Sequence, residues 1–191
     1  MVLTGAGLVV AALLMLAALA TYQPSDPSLN TAAAGPVLNW LGAPGAFVAD
    51  FLLSLLGPPV ALLAPLVVVL GLRVARGAWP GRWGRSLAWS LLGIFLIGTA
   101  AALLIGGAVN GLPAGWGGAL GLSFAGLIDL GIAAIGDDRF GAPLRIAAMA
   151  LAALSGAFVW YLGLGLRREE RGWLSRGRVR APGLIGDRPL A

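Results

Sequence analysis

The 191-residue sequence contains no cysteine, no histidine and no lysine. Without cysteine and histidine, the chain has no disulfide, no Ser-His-Asp or Cys-His nucleophile, and none of the usual ligands for zinc, haem or iron-sulfur clusters. Without lysine it has neither a Schiff base nor the lysine with which a P-loop reaches a β- or γ-phosphate. The sequence therefore predicts that this segment is not an enzyme and holds no cofactor and no metal.

Charge is also scarce: 11% of the residues are charged, 59% are hydrophobic, and 30 more residues are glycine. Soluble domains average about 25% charged residues and about 45–50% apolar residues with glycine included. The composition thus excludes a soluble globular fold, and its apolar runs must be interpreted against a lipid bilayer.

Four apolar runs are long enough to cross a bilayer, which takes about 20 helical residues. We predict an all-α membrane protein with spans at about residues 2–21, 44–72, 86–109 and 146–166. The first run is longer than the apolar region of a signal peptide and has no basic start, so we expect it to remain as a span. A fifth run, at residues 116–135, is rich in glycine and contains Asp129. We interpret it as an interfacial or re-entrant helix on the outer side.

The arginines set the predicted orientation. Four lie between the second and third spans and seven follow the fourth, so these two segments hold 11 of the 13. Cytoplasmic loops collect arginine, and both segments can be cytoplasmic only if an even number of spans separates them. We therefore predict that both termini are cytoplasmic. If residues 116–135 crossed the bilayer, the basic tail would lie outside.

Several of these arginines are predicted to contact lipid headgroups. Residues 1–166 form the predicted four-span domain, and residues 167–191 form a basic juxtamembrane segment that begins a linker. Each arginine near anionic headgroups gains about 1 kcal/mol, and this interpretation is simpler than binding of the tail to nucleic acid phosphates. The assigned residues are Arg73, Arg76, Arg82, Arg85, Arg167, Arg168 and Arg171.

Two carboxylates in apolar surroundings, Asp50 and Asp129, are the candidates for an ion or proton path. Asp50 precedes Arg73 by 23 residues, or roughly 34 Å of helix, which places it at the outer headgroup level. This position favours an interfacial charge over a proton relay. The alternative function is a small transporter or channel of four to five helices that uses Asp50 or Asp129.

Proline and small residues interrupt or mark the spans. Pro58, Pro59 and Pro65 follow or lie near Gly57 in the second predicted span, and each lacks the N–H of a regular helix. We interpret them as a kink that shapes packing.

Small residues recur every four positions in the third and fourth spans, which favours close helix packing or self-association: Gly98, Ala102 and Gly106, then Ala152 and Gly156.

Two short motifs surround the loop after the first span. Residues 22–28 read Tyr-Gln-Pro-Ser-Asp-Pro-Ser, and residues 39–50 contain an Asn-x-x-Gly-x-x-Gly-Ala-x-x-x-Asp pattern. Together they closely resemble the N-terminal four-helix membrane domain of the FtsK/SpoIIIE family of bacterial cell-division DNA translocases. The matching residues are Tyr22, Pro24, Ser25, Asp26, Pro27 and Ser28, followed by Asn39, Gly42, Gly45, Ala46 and Asp50. Gly57, Pro65 and the glycine-rich residues 117–121 resemble further family positions.

The resemblance implies a membrane anchor at the division septum of the bacterial inner membrane. It implies an oligomer, hexameric like the family's motor, that meets other division proteins and tethers a cytoplasmic ATP-driven DNA motor. That motor would follow Ala191, so DNA would be reached only through it, and the anchor would help to couple chromosome segregation to cell division.

The first motif also has a local physical interpretation. Pro24 and Pro27 fix the backbone φ angle, and Asp26 and Ser28 can bond nearby backbone N–H groups. These features reduce the entropy of the loop. We therefore expect the loop from Tyr22 to Asn39, with the helix at 116–135, to form an ordered outer cap on the bundle.

Overall fold

The computed structural model describes residues 1–32, 35–78, 81–107, 109 and 111–166. Within these residues the chain is helical and contains no strand. The α-helices are α1 (Val2–Ala20), α2 (Gly42–Leu56), α3 (Leu63–Ala75), α4 (Trp83–Ile105), α5 (Gly118–Ala133) and α6 (Asp138–Gly163). A short 3-10 helix, Pro58–Leu62, leads directly into α3.

Four segments of the described chain have the length and composition of membrane spans: Val2–Ala20, Pro58–Ala75, Trp83–Ile105 and Arg139–Gly163. The predicted all-α fold with four spans is thereby confirmed. The last span begins earlier than the predicted residue 146, because the helix already includes Arg139 and Arg145. Asp137 caps this helix by accepting a hydrogen bond from the Arg139 backbone N–H at 3.0 Å.

The second span differs from the predicted continuous run over residues 44–72. The α-helix ends at Leu56 and a new helical segment begins at Pro58. Gly57 separates them with φ 69° and ψ −174°, a conformation essentially restricted to glycine. The two prolines that follow cannot supply the N–H groups of a continuing helix. The interruption is therefore a break between two helices and not a mild kink.

Helix α2 does not extend the second span outward. Asn39, just before α2, bonds to the last turn of α1, and Asp50, in the second half of α2, bonds to Tyr22 just after α1. A helix of 15 residues is about 22 Å long, so a helix that continued α3 would carry Asn39 far from α1. Helix α2 thus runs across the C-terminal end of α1.

Two antiparallel helix pairs form the bundle, and both depend on close backbone contact. In the first pair a Cβ at Gly5 of α1 would collide with Ala75 N and Gly71 O of α3. In the second, a Cβ at Gly93 of α4 would lie 2.6 Å from the Trp160 backbone N of α6. Gly156 of α6 packs equally closely on α4. Gly156, one of the small residues that could have served self-association, is therefore used for packing within the chain.

Helix α5 occupies the position of the predicted outer helix at residues 116–135. Its Ala125 packs with Ala102 and Leu103 of α4, and the rings of Phe124 and Phe95 meet edge to face at 5.3 Å between centroids. A Cβ at Gly121 would touch the backbone of Gly98, about two turns before α4 ends. The chain therefore doubles back after α4, and α5 begins alongside the last turns of α4.

Candidate functional site

The candidate site is a hydrogen-bonded cap at the C-terminal end of α1, where both sequence motifs meet. Asp26, of the first motif, is 1% exposed. Its two carboxylate oxygens accept hydrogen bonds from the backbone N–H groups of Leu38 at 2.8 Å and Asn39 at 2.9 Å. A carboxylate that accepts two backbone N–H groups fixes the loop at both ends, so Asp26 closes the segment between itself and the second motif.

Asn39, the first residue of the second motif, terminates α1. Its side-chain amide donates to the carbonyl oxygens of Ala18 at 2.9 Å and Thr21 at 3.3 Å. The last carbonyls of a helix have no partner within the helix, and Asn39 supplies one. Its own Oδ1 accepts from the backbone N–H of Leu41 at 3.0 Å. One side chain thereby joins the end of α1 to the start of α2.

Asp50, the last residue of the second motif, is fully buried. Its Oδ1 accepts from the Tyr22 hydroxyl at 3.1 Å. Its Oδ2 accepts from the Asn30 backbone N–H at 3.2 Å and the Asn30 side-chain amide at 3.0 Å. The same amide donates to Ser54 Oγ at 2.7 Å. A buried carboxylate is tolerated when hydrogen bonds replace its hydration, and here three bonds do so.

Tyr22 has a perturbed acidity at this position. The pKa of the Tyr22 hydroxyl is raised to about 12, chiefly by burial, then by the charge of the nearby Asp50 carboxylate and their hydrogen bond, with a smaller contribution from Asp26. Both causes disfavour the tyrosinate form. Tyr22 therefore remains a hydrogen-bond donor to Asp50 throughout the physiological pH range.

The remaining motif residues shape the cap without charge. Pro24 accepts a hydrogen bond at its carbonyl from Thr31 Oγ1 at 3.2 Å, and the Ser28 backbone N–H donates to the Thr31 carbonyl at 3.0 Å. Ser25 is exposed and Pro27 is half-buried. The Gly42 backbone N–H donates to the Asn39 carbonyl at 2.8 Å, and Ala46 is buried. Gly45 lies so close to Asn39 Oδ1 that a Cβ there would collide with it.

Sequence reasoning did not single out Asn30, Thr21 or Ser54 as parts of the cap. Asn30 bonds twice to Asp50, and the Thr21 hydroxyl accepts from the Trp40 backbone N–H at 3.3 Å. These polar residues border or occupy the outer loop, but no spacing rule marks them. Their roles depend on how the loop folds back over α2.

The break at Gly57 links this cap to α5. A Cβ at Gly57 would lie 2.5 Å from the Trp116 carbonyl and 2.7 Å from the Gly118 backbone N. The start of α5 thus packs against the end of α2. The loop, α2 and the first turn of α5 form one contiguous assembly, which we call the outer cap after the orientation predicted from the sequence.

The structure revises one of the predicted headgroup contacts. Arg73 is only 7% exposed, and its guanidinium donates to the Gly165 carbonyl at 2.7 Å, just beyond the end of α6. A cation at a helix C-terminus meets unsatisfied carbonyls and the negative end of the dipole, so Arg73 serves the bundle and offers little surface to lipid. Arg76, Arg82 and Arg85 are exposed. The other three assigned residues, Arg167, Arg168 and Arg171, lie outside the described residues, as does the rest of segment 167–191.

The two carboxylates considered for a transport path both have structural partners. Asp50 is held by Tyr22 and Asn30 as described above. Asp129 forms an ion pair of 3.2 Å with Arg145, which joins α5 to α6, and both side chains are about half exposed. In the described part of the chain, no group of three acidic residues lies close enough together to hold a metal ion. No observation specifically favours the transporter interpretation.

Comparison with known proteins identifies a family that this chain matches over most of its length. The sequence model of the family described as "4TM region of DNA translocase FtsK/SpoIIIE" matches residues 3–163 of this chain. That match includes both motifs, all four spans and α5. No solved structure matches the chain significantly.

Individual relatives agree with the family match, and each is named DNA translocase FtsK. The protein of Brucella suis biovar 1 (strain 1330) is 36% identical over 122 residues, 63% of this chain and 14% of that protein. The protein of Bradyrhizobium diazoefficiens is 30% identical over 169 residues, 88% of this chain and 20% of that protein. The protein of Azospirillum brasilense is 29% identical over 187 residues, 95% of this chain and 28% of that protein. The chain therefore spans less than a third of the length of each relative.

Proposed function

This chain belongs to the FtsK/SpoIIIE family as its four-span membrane region, and on that premise we propose that it anchors a cytoplasmic ATP-driven DNA motor at the division septum. The outer cap is the observation that carries this proposal. It contains both motifs that resemble the family. They interlock through Tyr22 with Asp50 and Asp26 with Asn39.

The cap is more elaborate than a simple tether requires. Any four apolar helices of suitable length would hold a motor at a membrane, and the outer loops could be flexible connectors. Here two buried carboxylates fix the loop instead. The loop also exposes three large apolar side chains, Leu29, Leu38 and Trp40, the last at 81%. Exposed apolar groups on an ordered scaffold are typical of a surface that meets a partner, which supports contact with other division proteins outside the membrane.

If this segment is an anchor, ATP hydrolysis and DNA binding must be carried out by other parts of the protein. We propose that ATP hydrolysis and DNA contact belong to the motor, and that the membrane segment contributes position at the inner membrane and assembly into a hexamer. Faces used for assembly would differ from the glycine contacts of Gly93 and Gly156, which pack within the chain. Holding the motor at the septum would help to couple chromosome segregation to cell division.

A localisation experiment tests the role of the cap. The full-length protein, fused to a fluorescent protein, carries Asp26→Ala with Pro27→Gly in place of the native residues. Loss of the two bonds from Asp26 should release the loop, so we expect normal membrane insertion, weakened septal localisation and impaired division. A control, Gln23→Ala, changes an exposed residue of the same loop that is not one of the matching motif residues and should behave like the parent.

The proposal fails if the Asp26 and Pro27 double variant localises to the septum and supports division as well as the parent. Membrane fractionation of both variants shows that each is inserted at parental levels.

A further inference from the structure

Two adjoining cavities lie beneath the outer loop. The first, of about 510 Å³, is open to the outside and has a polar wall formed by Tyr22, Asn30, Thr31, Asp50 and Ser54. The second, of about 390 Å³, is lined by apolar residues from α1, α2 and the 3-10 helix, including Leu16, Leu19, Leu53, Pro58 and Ala61. Tyr22, Gly111 and Leu112 line both. The two cavities therefore share a wall and differ in polarity.

The polar cavity presents acceptors and a negative charge. The Tyr22 hydroxyl and the Asn30 amide donate to the Asp50 carboxylate, and the Asn30 amide also donates to Ser54. Hydroxyl and amide oxygens retain lone pairs when their hydrogens are committed elsewhere. The oxygens of Tyr22, Asn30 and Ser54 can thus accept further bonds, with the Asp50 charge directly behind them. Among the described residues that line this cavity none is basic, so its charge is complementary to a cation with N–H donors.

The second cavity suits a hydrocarbon chain. Apart from the shared Tyr22, the residues of the described chain that line it are apolar. Leu16 and Leu19 belong to the last turns of a span and Pro58 and Ala61 to the first turns of another. This places the cavity at the level where acyl chains begin below the headgroups.

We propose that the two cavities together bind one aminophospholipid of the leaflet that faces the outer cap. Its primary ammonium group lies in the polar cavity against the oxygens of Tyr22, Asn30 and Ser54, and one acyl chain lies in the apolar cavity. The Asp50 carboxylate acts through these groups and not by direct contact, since it is fully buried. A phosphatidylethanolamine headgroup fits this chemistry. Phosphatidylcholine lacks N–H donors and phosphatidylglycerol lacks a cation.

Native mass spectrometry of the purified chain tests this inference. The protein is incubated with an equimolar mixture of phosphatidylethanolamine, phosphatidylcholine and phosphatidylglycerol that carry the same acyl chains. We expect phosphatidylethanolamine to be retained about tenfold over the other two, the factor that corresponds to one charge-assisted hydrogen bond. Equal retention of the three lipids by the parent would overturn the proposal.

Variants separate the two cavities. Asp50→Asn removes the charge behind these oxygens and should reduce the preference for the ethanolamine headgroup. Because that change also weakens the cap, Ser54→Ala provides a second test at the cavity wall and should reduce the preference several-fold. Ala61→Phe fills the apolar cavity and should lower retention of phosphatidylethanolamine. The control, Ala157→Phe, adds the same ring at an exposed position of α6 and should have no effect.

Parental lipid preference in Ser54→Ala, or parental retention in Ala61→Phe, would each contradict the proposal. A competition with soluble glycerophosphoethanolamine distinguishes the lipid from its headgroup. If the soluble compound displaced the bound lipid at equal concentration, the apolar cavity would contribute nothing and an acyl chain would not be part of the ligand.

Discussion

The Tyr22 hydroxyl donates a hydrogen bond of 3.1 Å to the Asp50 carboxylate across 28 residues of sequence. Tyr22 is the first residue of one motif and Asp50 the last residue of the other. The opposite pairing, between Asp26 and the backbone N–H of Asn39, closes the same assembly at 2.9 Å. The two motifs are therefore halves of one structural unit.

A double-mutant cycle on Tyr22→Phe and Asp50→Asn measures the interaction energy between these two side chains. Tyr22→Phe should lower the free energy of unfolding by about 1–2 kcal/mol, because a hydrogen bond to a charged group is lost. Once Asp50 is asparagine, the same change should cost less. Unfolding in mixed micelles of dodecylmaltoside and SDS gives both values. Purely additive effects would show that the two side chains do not interact.

Titration of Tyr22 provides a second prediction. In a Tyr161→Phe background Tyr22 is the remaining tyrosine, and its ionisation can be followed by ultraviolet absorbance. We expect a pKa of about 12 against the usual value of 10. Because the folded state favours the neutral phenol, its contribution to stability is complete below pH 10 and is lost as the pH rises toward 12. Asp50→Asn should lower the pKa but not restore 10, since burial remains. An unchanged pKa in this variant would contradict the contact.

The break at Gly57 provides a third prediction. Gly57→Ala places a residue with a Cβ in a backbone conformation that costs it about 1–3 kcal/mol. The added Cβ would also collide with Trp116 and Gly118 at the start of α5. We expect loss of stability and separation of α5 from the cap, visible as faster hydrogen exchange in α5. Gly126→Ala, at an open position within α5, is the control and should stabilise the helix by up to about 1 kcal/mol. Equal stability of the two variants would refute this role of Gly57.

Arg73 supports a fourth prediction at the opposite end of the bundle. Arg73→Gln removes the guanidinium that bonds to the Gly165 carbonyl, and the loss of a largely buried charged donor should cost about 1.5–3 kcal/mol. Arg76→Gln, at an exposed position three residues later, should change stability by less than about 0.5 kcal/mol. Unfolding of both variants under the same conditions makes the comparison. If both variants changed the free energy of unfolding by the same small amount, Arg73 would belong with the arginines that contact lipid headgroups.

The sequence correctly predicted the features that depend on a local property of the chain. Apolar length locates the four spans, because a helix must cover a fixed hydrocarbon thickness, and the arginine distribution is needed only to exclude residues 116–135. The sequence did not predict the features that tertiary contacts determine, such as the path of α2 and the role of Arg73. The pattern around Gly57 marks an interruption, but that α2 crosses the end of α1 follows from the bonds of Asn39 and Asp50. Arg73 resembles its neighbours in sequence, and only the position of the α6 terminus distinguishes it.

The candidate site shows the same division. Family resemblance drew attention to Tyr22, Asp26, Asn39 and Asp50, but their spacing did not indicate which carboxylate meets which donor. Asn30, which supplies two of the three bonds to Asp50, stands in a polar loop where asparagine is unremarkable. A bond between distant residues has no periodic signature in a single sequence.

Single-cysteine labelling tests the central claim, a four-span anchor with its cap outside and both termini in the cytoplasm. The parent is free of cysteine, so cysteines placed singly at Ser28, Asp138 and Ser175 can be assayed with an impermeant thiol reagent in intact cells. We expect labelling at positions 28 and 138, and labelling at position 175 only after lysis. Labelling of position 175 in intact cells, with position 138 protected, would mean that the α5 region crosses the bilayer and would contradict the account.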